Sequence, residues 1–438
     1  MKLKGQTIEC EIEKLVFGGY GLGRYNKKVI FVCNALPGET IEASVIKDKK
    51  DYSEAIATTI ITPSPFRQEA LEEHYLSCSP WQILSFEQEN YWKQAITQEV
   101  FQTIGEIDLE DLEIVSGPER LHYRNKIEFS FTESENQVSL AFFKRGQKQR
   151  QPIPHCVLAH SSINQQAELL IQELNQQSIS EASLKAVILR SNRIDQTIVA
   201  LFVKGPNFPA LPGIQLDDQL QGFTVYFSNP KSPASVPTRT LHQLGSPYIT
   251  ETINNKQLQF GPMSFFQVNV HLFERVLKDM HPFVEGEDIL DYYCGVGSIG
   301  IAVSDVVKSC VMVDVGEESI FYAQKNIRHN GLPDFSAHCN KAEKLLNYID
   351  SDKVVILDPP RAGIHHKVIN ALRIKKPKRI VYLSCNISTC ARDLRLLCFE
   401  YNIVFTKIYN FFPATPHIEF LTILDRKATS LHVVTEGR

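Results

Sequence analysis

From about residue 263 onward the chain alternates apolar strands with helical stretches, and no other feature restricts its fold as tightly. DILDYY, SCVMVDV, KVVILDP, RIVYLSC and EFLTILD read as buried strands, with stretches such as EESIFYAQKNIRHN between most of them. Short apolar runs separated by helices predict a mostly parallel, doubly wound α/β sheet. In such a sheet ligands bind at the carboxyl ends of the strands. The polar motifs of this half of the chain all fall at such ends.

Residues 1–60 have a different texture. IECEIEKL and TIEASVIKD alternate polar with apolar residues, VIFVCNAL is an apolar run, and the glycine-rich FGGYGLGRYNKK lies after the first of them. Five or so short strands with glycine turns predict a small closed, OB-like barrel. PSPF at 63–66 marks its exit. Residues 61–262 read as a central, mostly β domain. It has a hairpin over 122–145, further strands at VILRSN, TIVALFVK and FTVYFSN, and a long loop at NPKSPASVPTRT. Helical spacing at 82–104 is its exception, a helix free to pack on the third domain, residues 263–438.

The chain has 438 residues and a net charge of −4, which does not by itself announce a nucleic-acid binder. The distribution says more. Residues 1–50 hold nine Lys/Arg against six Asp/Glu, residues 120–156 seven against three, and residues 361–398 nine against one. Clustered positive charge contacts phosphates, although a solvated surface explains any single segment equally well. MKLKGQTIEC lacks the apolar core of a secretory leader, and no run of 18 apolar residues occurs. The expectation is a cytoplasmic, non-membrane, monomeric protein whose ten cysteines are free thiols.

Five motifs carry chemistry. In DYYCGVGSIG, at 291–300, a strand runs through a glycine loop into a helix. Gly295 and Gly297 allow a tight turn and close approach of a ligand. With Gly300 they also satisfy GxGxxG, the dinucleotide fingerprint, and a plain strand-to-helix turn would look the same. Asp314 ends the next strand, where a carboxylate accepts from ribose hydroxyls or simply caps a helix. That acid does not separate NAD from S-adenosylmethionine, since both contain adenosine. LDPPRAG at 357–363 is a stiff loop with Asp358 at its start. In YLSCNISTCARDL, Cys385 stops an apolar strand just before a helix capped at Ser388 or Thr389, with Arg361, Arg392 and Arg395 near in sequence. A helix start and cations ease thiol ionisation. Cys294, Cys310, Cys390 and Cys398 read instead as buried apolar residues. Last, Glu419 opens the final strand in NFFPATPHIEFLTILD. A carboxylate entering an apolar strand has a raised pKa, which suits a general base. His417 reads as an exposed loop residue.

DPPRAG, SCNISTCARD and FPATPHIE, in this order, closely resemble the DPxRxG, SCNPxTxARD and FPxTxHxE motifs of the RNA 5-methyluridine methyltransferases. FFQVN at 265–269 and DYYCGVG resemble two more motifs of that family, and the likeness extends over essentially the whole chain. It implies a Rossmann-like methyltransferase domain, an N-terminal TRAM barrel that binds RNA, and a central β domain. It implies S-adenosylmethionine as cofactor, contacted by Gln267, Tyr293, Asp314, Asn340 and Asp358. It implies Cys385 as nucleophile and Glu419 as base. Ile387 and Ser298 depart mildly from the family pattern. Many members hold an iron–sulfur cluster on four thiolates. Here only Cys78 and Cys156 match those positions, so no cluster and no metal ligands are expected, with His74 a remote substitute.

The expected activity is therefore methylation of uridine carbon 5 in RNA. A TRAM barrel favours 23S ribosomal RNA over transfer RNA as substrate. Phe17, Tyr20 and Tyr25, beside the first glycine loop, are either base-stacking groups or barrel core. Three rivals stand beside this reading: a cytosine-5 RNA methyltransferase, an NAD-dependent oxidoreductase and a non-catalytic RNA-binding protein. Pro360 and Arg361 occupy the region where the cytosine enzymes resemble a second-cysteine pattern.

Overall fold

The computed structural model describes residues 3–233 and 235–428. Strands Thr7–Val16, Tyr20–Tyr25, Lys28–Cys33, Thr40–Asp48 and Tyr52–Thr62 close into a barrel, the fifth lying between the third and fourth. Alternation places Ile8, Cys10, Ile12, Ile30, Val32, Ile41 and Val45 inside, as a side-chain period of two requires. Gly18 and Gly19 form the first turn with φ of +89° and +80°. Gly19 has a second constraint, because a Cβ there would stand 2.4 Å from the Pro416 ring. The barrel turn thus rests directly on a loop near the other end of the chain.

The central region holds a seven-stranded sheet. Its spatial order is Arg239–Gly245, Leu220–Phe227, Thr197–Val203, Leu184–Ser191, Lys126–Ser134, Gln137–Phe143 and Arg150–Pro152. Helix Ser161–Gln176, which the sequence reading did not contain, buries Ile163, Ala167, Leu170 and Leu174 in the core of this sheet. Residues 61–262 are nevertheless not one unit. Trp81, Ile96, Val100 and Phe101 share a core with Leu290, Tyr382 and Leu394 of the C-terminal half. The hairpin Ile249–Ile253/Lys256–Phe260 likewise joins the core of Val276, Ile299 and Met312. A mostly parallel sheet needs cover on both faces, and these segments supply part of it.

The C-terminal sheet has eight strands. Their order is Phe335–Cys339, Ser309–Asp314, Asp288–Tyr292, Val354–Leu357, Arg379–Ser384, Glu419–Arg426, Tyr401–Tyr409 and Ile114–Val115. The first five run parallel. The chain moves outward from Asp288–Tyr292 on one side, then crosses to Val354–Leu357 on the other. That reversal creates a crevice at the carboxyl ends of these two strands. Glu419–Arg426 is antiparallel to both of its long neighbours, because it returns from Tyr401–Tyr409 by a hairpin-like connection. Reversal puts the beginning of this strand at the edge where the parallel strands end. Among the described residues no helix is long and apolar enough to cross a membrane.

Candidate active site

The crevice is built from backbone first. Tyr293 leaves its strand with φ +65°, and its N–H donates to the Val313 carbonyl at 2.8 Å. Gly295 follows with φ +57°, and its N–H donates to Asp314 Oδ2 at 3.1 Å. A Cβ on Gly295 would stand 3.1 Å from the Phe265 carbonyl oxygen. The other Asp314 oxygen accepts the Gly316 N–H at 2.7 Å. Each carboxylate oxygen keeps a further lone pair, so Asp314 remains able to accept from a ligand. Gln267 Nε2 donates to Asp358 Oδ2 at 3.0 Å. Burial pushes the Asp358 carboxyl up to about 7.

These side chains line a cavity of about 490 Å³ with Phe265, Val315, Pro359, Phe412, Cys385 and Glu419. Gln267, Tyr293, Asp314 and Asp358 are thus brought together with both expected catalytic residues. Gly295 and Gly297 do not line it; Gly297 precedes the helix Ser298–Ala302 with φ +83°, packed against Ile301 and Met312. Asn340 is the outlier. It is exposed, its N–H donates to the Asp314 carbonyl at 2.9 Å, and its side chain caps Lys341.

Cys385 follows strand Arg379–Ser384 directly. Ser384 pairs with Phe420, so the antiparallel register sets Cys385 beside Glu419. The expectation that helix and cations would ionise this thiol is overturned. Burial, then Glu419 and Asp358, push it up to about 12, against the pull of Arg361 and a backbone hydrogen bond. The other arginines are spent elsewhere: Arg392 pairs with Asp393 and Arg395 with Glu106, both at 2.6 Å. The helix Ile387–Leu397 is capped by Asn386, not by Ser388 or Thr389. Its Oδ1 accepts the Ser388 N–H at 3.1 Å while its Nδ2 donates to the Arg361 carbonyl at 2.8 Å. Glu419 is buried at 2% exposure. Burial and the Asp358 charge hold its carboxyl well above the usual range.

Cys385, Arg361 and His417 also border a second cavity of about 360 Å³. Its walls come from all three units: Phe17 and Gly18 of the barrel turn, Ser77, Cys78 and Pro80 of the following segment, and Arg145 of the central hairpin. His417 is therefore no mere exposed loop residue. Burial, then Arg361, hold its imidazole down to about 3, so it is neutral. Of the three barrel aromatics, Phe17 is 43% exposed at this vestibule. Tyr20 lies under the Arg145 guanidinium, 5.3 Å from the ring centre, and Tyr25 packs on the barrel core. The basic segment 361–398 contributes less than its composition suggests. Five of its nine cations, Arg373, Lys378, Arg379, Arg392 and Arg395, are ion-paired within the fold. A surface groove of about 1290 Å³ around His271 and Arg275 contains none of the candidate residues.

Sequence reasoning missed what holds the loop 410–418 that delivers Glu419. Lys93 is fully buried on helix Phe86–Val100 and donates to Glu89 at 2.9 Å, Asn410 Oδ1 at 2.6 Å and the Phe412 carbonyl at 3.1 Å. Glu89 Oε2 accepts the Ala414 N–H at 2.9 Å. Tyr123 donates to the Pro413 carbonyl at 3.1 Å, and Asn269 to that of Phe411 at 3.1 Å. A Glu–Lys pair four residues apart usually marks a solvated helix face. Only the apolar residues around it, Ile96 and Val100, hinted otherwise.

A glycine cradle at the reversal point of a doubly wound sheet, opening on an apolar cavity and preceded by a barrel, defines an α/β methyltransferase with an added RNA-binding module. Comparison with known proteins agrees. The profile of the tRNA (Uracil-5-)-methyltransferase family matches residues 88–427, and that of the TRAM domain residues 2–58. The chain belongs to the tRNA (uracil-5-)-methyltransferase family of RNA methyltransferases. An uncharacterized RNA methyltransferase of Aquifex aeolicus is 31% identical over 97% of this chain and 100% of its own. One of Bacillus cereus is 27% identical over 97% of both chains. Among solved structures, a Pyrococcus abyssi tRNA (uracil-54, C5)-methyltransferase in complex with S-adenosyl-L-homocysteine shares the fold. Its TM-score is 0.78 at 24% identity, covering 95% of this chain and all of that one.

Proposed function

We propose that this protein transfers a methyl group from S-adenosylmethionine to carbon 5 of a uridine in RNA, with Cys385 as nucleophile and Glu419 as general base. The observation that carries this reading is the place of Cys385, at the boundary of two cavities and alongside Glu419. The apolar cavity suits an adenosyl group: backbone approaches closely at Gly295, Asp314 has lone pairs to spare, and Phe265 and Val315 offer flat and apolar walls. Gln267, Tyr293 and Asp358 would complete these contacts, with Asn340 at the rim. When bound, S-adenosylmethionine supplies the electrophilic methyl group. The vestibule suits a uridine flipped from its stack, with Phe17 to stack on and Arg145 and Arg361 for phosphates.

Carbon 5 of uracil is a poor nucleophile. Attack of the Cys385 sulfur on carbon 6 forms an S–C bond, and the thiol proton leaves through the vestibule. The carbon 5–carbon 6 electron pair shifts toward the carbonyl at carbon 4, which makes carbon 5 enolate-like. Once carbon 5 carries the methyl group, Glu419 takes the proton remaining there. The S–C bond then breaks and its pair returns to sulfur. A thiol held near 12 is no standing thiolate, so it ionises as it attacks.

Cys385→Ala is expected to abolish methylation while S-adenosylhomocysteine still binds. Glu419→Gln is expected to leave a covalent protein–RNA adduct on a denaturing gel. Residual methylation by the first variant, or no adduct with the second, overturns the assigned roles. As substrate we assign 23S ribosomal RNA, on the association of the TRAM barrel with ribosomal enzymes. A transfer RNA uridine is the second reading, favoured by the Pyrococcus abyssi protein that shares the fold, a tRNA (uracil-54, C5)-methyltransferase. Tritiated methyl transfer to total RNA from a strain lacking the gene separates them by the size of the labelled RNA.

A further inference from the structure

Beside the vestibule, four side chains from two distant segments converge. Cys78 and Cys156 offer sulfurs, His74 a ring nitrogen and Glu72 a carboxylate oxygen, all within 4.8 Å of one another. Glu72, His74 and Cys156 are 7%, 3% and 1% exposed. His74 Nε2 lies 3.3 Å from Glu72 Oε2 without the geometry of a hydrogen bond. From these positions we infer that Glu72, His74, Cys78 and Cys156 bind a single zinc ion.

The geometry and donor chemistry agree. A tetrahedron with donors about 2.1 Å from its centre sets them about 3.4 Å apart, and sulfurs at about 2.3 Å stand slightly wider. The His74–Glu72 separation already matches that edge. Thiolate, imidazole and carboxylate donors in fourfold coordination suit Zn²⁺. An iron–sulfur cluster takes four thiolates, and this site has two. The surroundings orient the donors as metal sites require. Glu72 Oε1 accepts the Val157 N–H at 2.6 Å and Oε2 accepts Gln82 Nε2 at 3.1 Å. Asn164 grips the backbone of Cys156 twice, taking its N–H and donating to its carbonyl, both at 3.0 Å. Binding displaces the two thiol protons and changes no oxidation state.

The site's place gives its task. Cys78 ends the short helix Tyr75–Cys78, and Ser77, Cys78 and Pro80 form one wall of the vestibule. Cys156 belongs to the central domain, next to the helix Ser161–Gln176. Zinc would fasten that wall to the central domain, setting the width of the opening through which a base reaches Cys385. It touches neither cofactor nor reacting atoms, so its role is structural.

The test is elemental analysis of the untagged full chain, purified anaerobically with reductant from zinc-supplemented cells. About one zinc per chain is expected. Zinc should fall at least fivefold in Cys78→Ser and Cys156→Ser. In Glu72→Gln, whose remaining amide oxygen can still accept the Val157 N–H although the bond from Gln82 Nε2 is lost, zinc affinity should drop at least tenfold while the variant stays folded by circular dichroism. Cobalt(II) exchanged into the wild type should show sulfur-to-cobalt charge transfer and tetrahedral visible bands, both weakened in the cysteine variants. Folded wild type without metal, iron with acid-labile sulfide, a Cys78–Cys156 disulfide under reducing conditions, or full zinc in all variants would each overturn the inference. None of these readouts depends on methylation.

Discussion

Cys385 has two different neighbourhoods. The cavity on one side is built mainly by successive strand ends of a single sheet: Tyr293, Asp314, Asp358 and Cys385 follow one another in the order of the chain. The vestibule on the other side is assembled from a barrel turn, a linking segment, a hairpin and the loop before Glu419. The first is shaped by local backbone conformation and the second by packing between distant segments. Cofactor binding should therefore tolerate damage to interdomain contacts, and RNA binding should tolerate damage to the glycine loop.

The largest effect that can break this contrast is at Lys93, which braces loop 410–418 from a helix more than 300 residues away in sequence. Lys93→Met leaves the buried Glu89 carboxylate its hydrogen bonds from Asn410 and Ala414 but takes away its close cation, with Arg120 3.6 Å away. Losing one partner of a buried pair costs roughly 3–5 kcal/mol. Urea unfolding should show that loss, and residual folded enzyme should retain cofactor affinity. Equal loss of cofactor affinity would show that the two halves are one mechanical unit. Next in size is Asp314→Ala, which removes the acceptor of the Gly295 and Gly316 N–H groups. Charged hydrogen bonds contribute about 1.5–3 kcal/mol, so calorimetry should find S-adenosylhomocysteine bound some ten- to hundredfold more weakly. RNA affinity in a filter assay should not change.

A smaller effect is expected at the exposed Phe17. Stacking of a base on an aromatic contributes about 1–3 kcal/mol; for Phe17→Ala the low end, about fivefold weaker RNA binding, is expected with unchanged cofactor affinity. The smallest sharpens the site itself. Glu419 helps hold the Cys385 thiol up near 12. Removing that negative charge with Glu419→Gln lowers the thiol pKa, so more thiolate is present at any pH below it. Alkylation of Cys385 by iodoacetamide at pH 8, followed by peptide mapping, should run a few-fold faster than in wild type. A slower reaction would mean that Glu419 activates the thiol in the free enzyme.

The same contrast governs what the sequence could disclose. The barrel was legible because glycine turns separate short alternating strands, and the parallel sheet because apolar runs alternate with helices. Cys385, Asp314, Asp358 and Glu419 were legible because each ends or opens such a run. Strands Phe335–Cys339 and Tyr401–Tyr409 escaped, being partly exposed and only weakly apolar in pattern. The charge state of Cys385 was misjudged because proximity in sequence stood in for proximity in space. Arg392 and Arg395 lie on the adjoining helix yet spend their charge on Asp393 and Glu106. Glu72 was invisible as a possible donor, since nothing in EEHYLSC marks which acid folds inward.

The strand Ile114–Val115 pairs with Tyr401–Tyr409 at the far edge of the catalytic sheet, and helix Phe86–Val100 carries the charge pair that locks the loop beyond it. A ribosome making this chain releases Glu89 and Lys93 long before their partners exist. Until residues 401–426 emerge, that helix keeps an apolar stripe and an ion pair in water. Translation order and assembly order therefore run opposite ways: an early segment docks late, as a keystone after the arch. Truncation before residue 401 should yield not a shortened enzyme but a chain whose helix Phe86–Val100 has nothing to close upon.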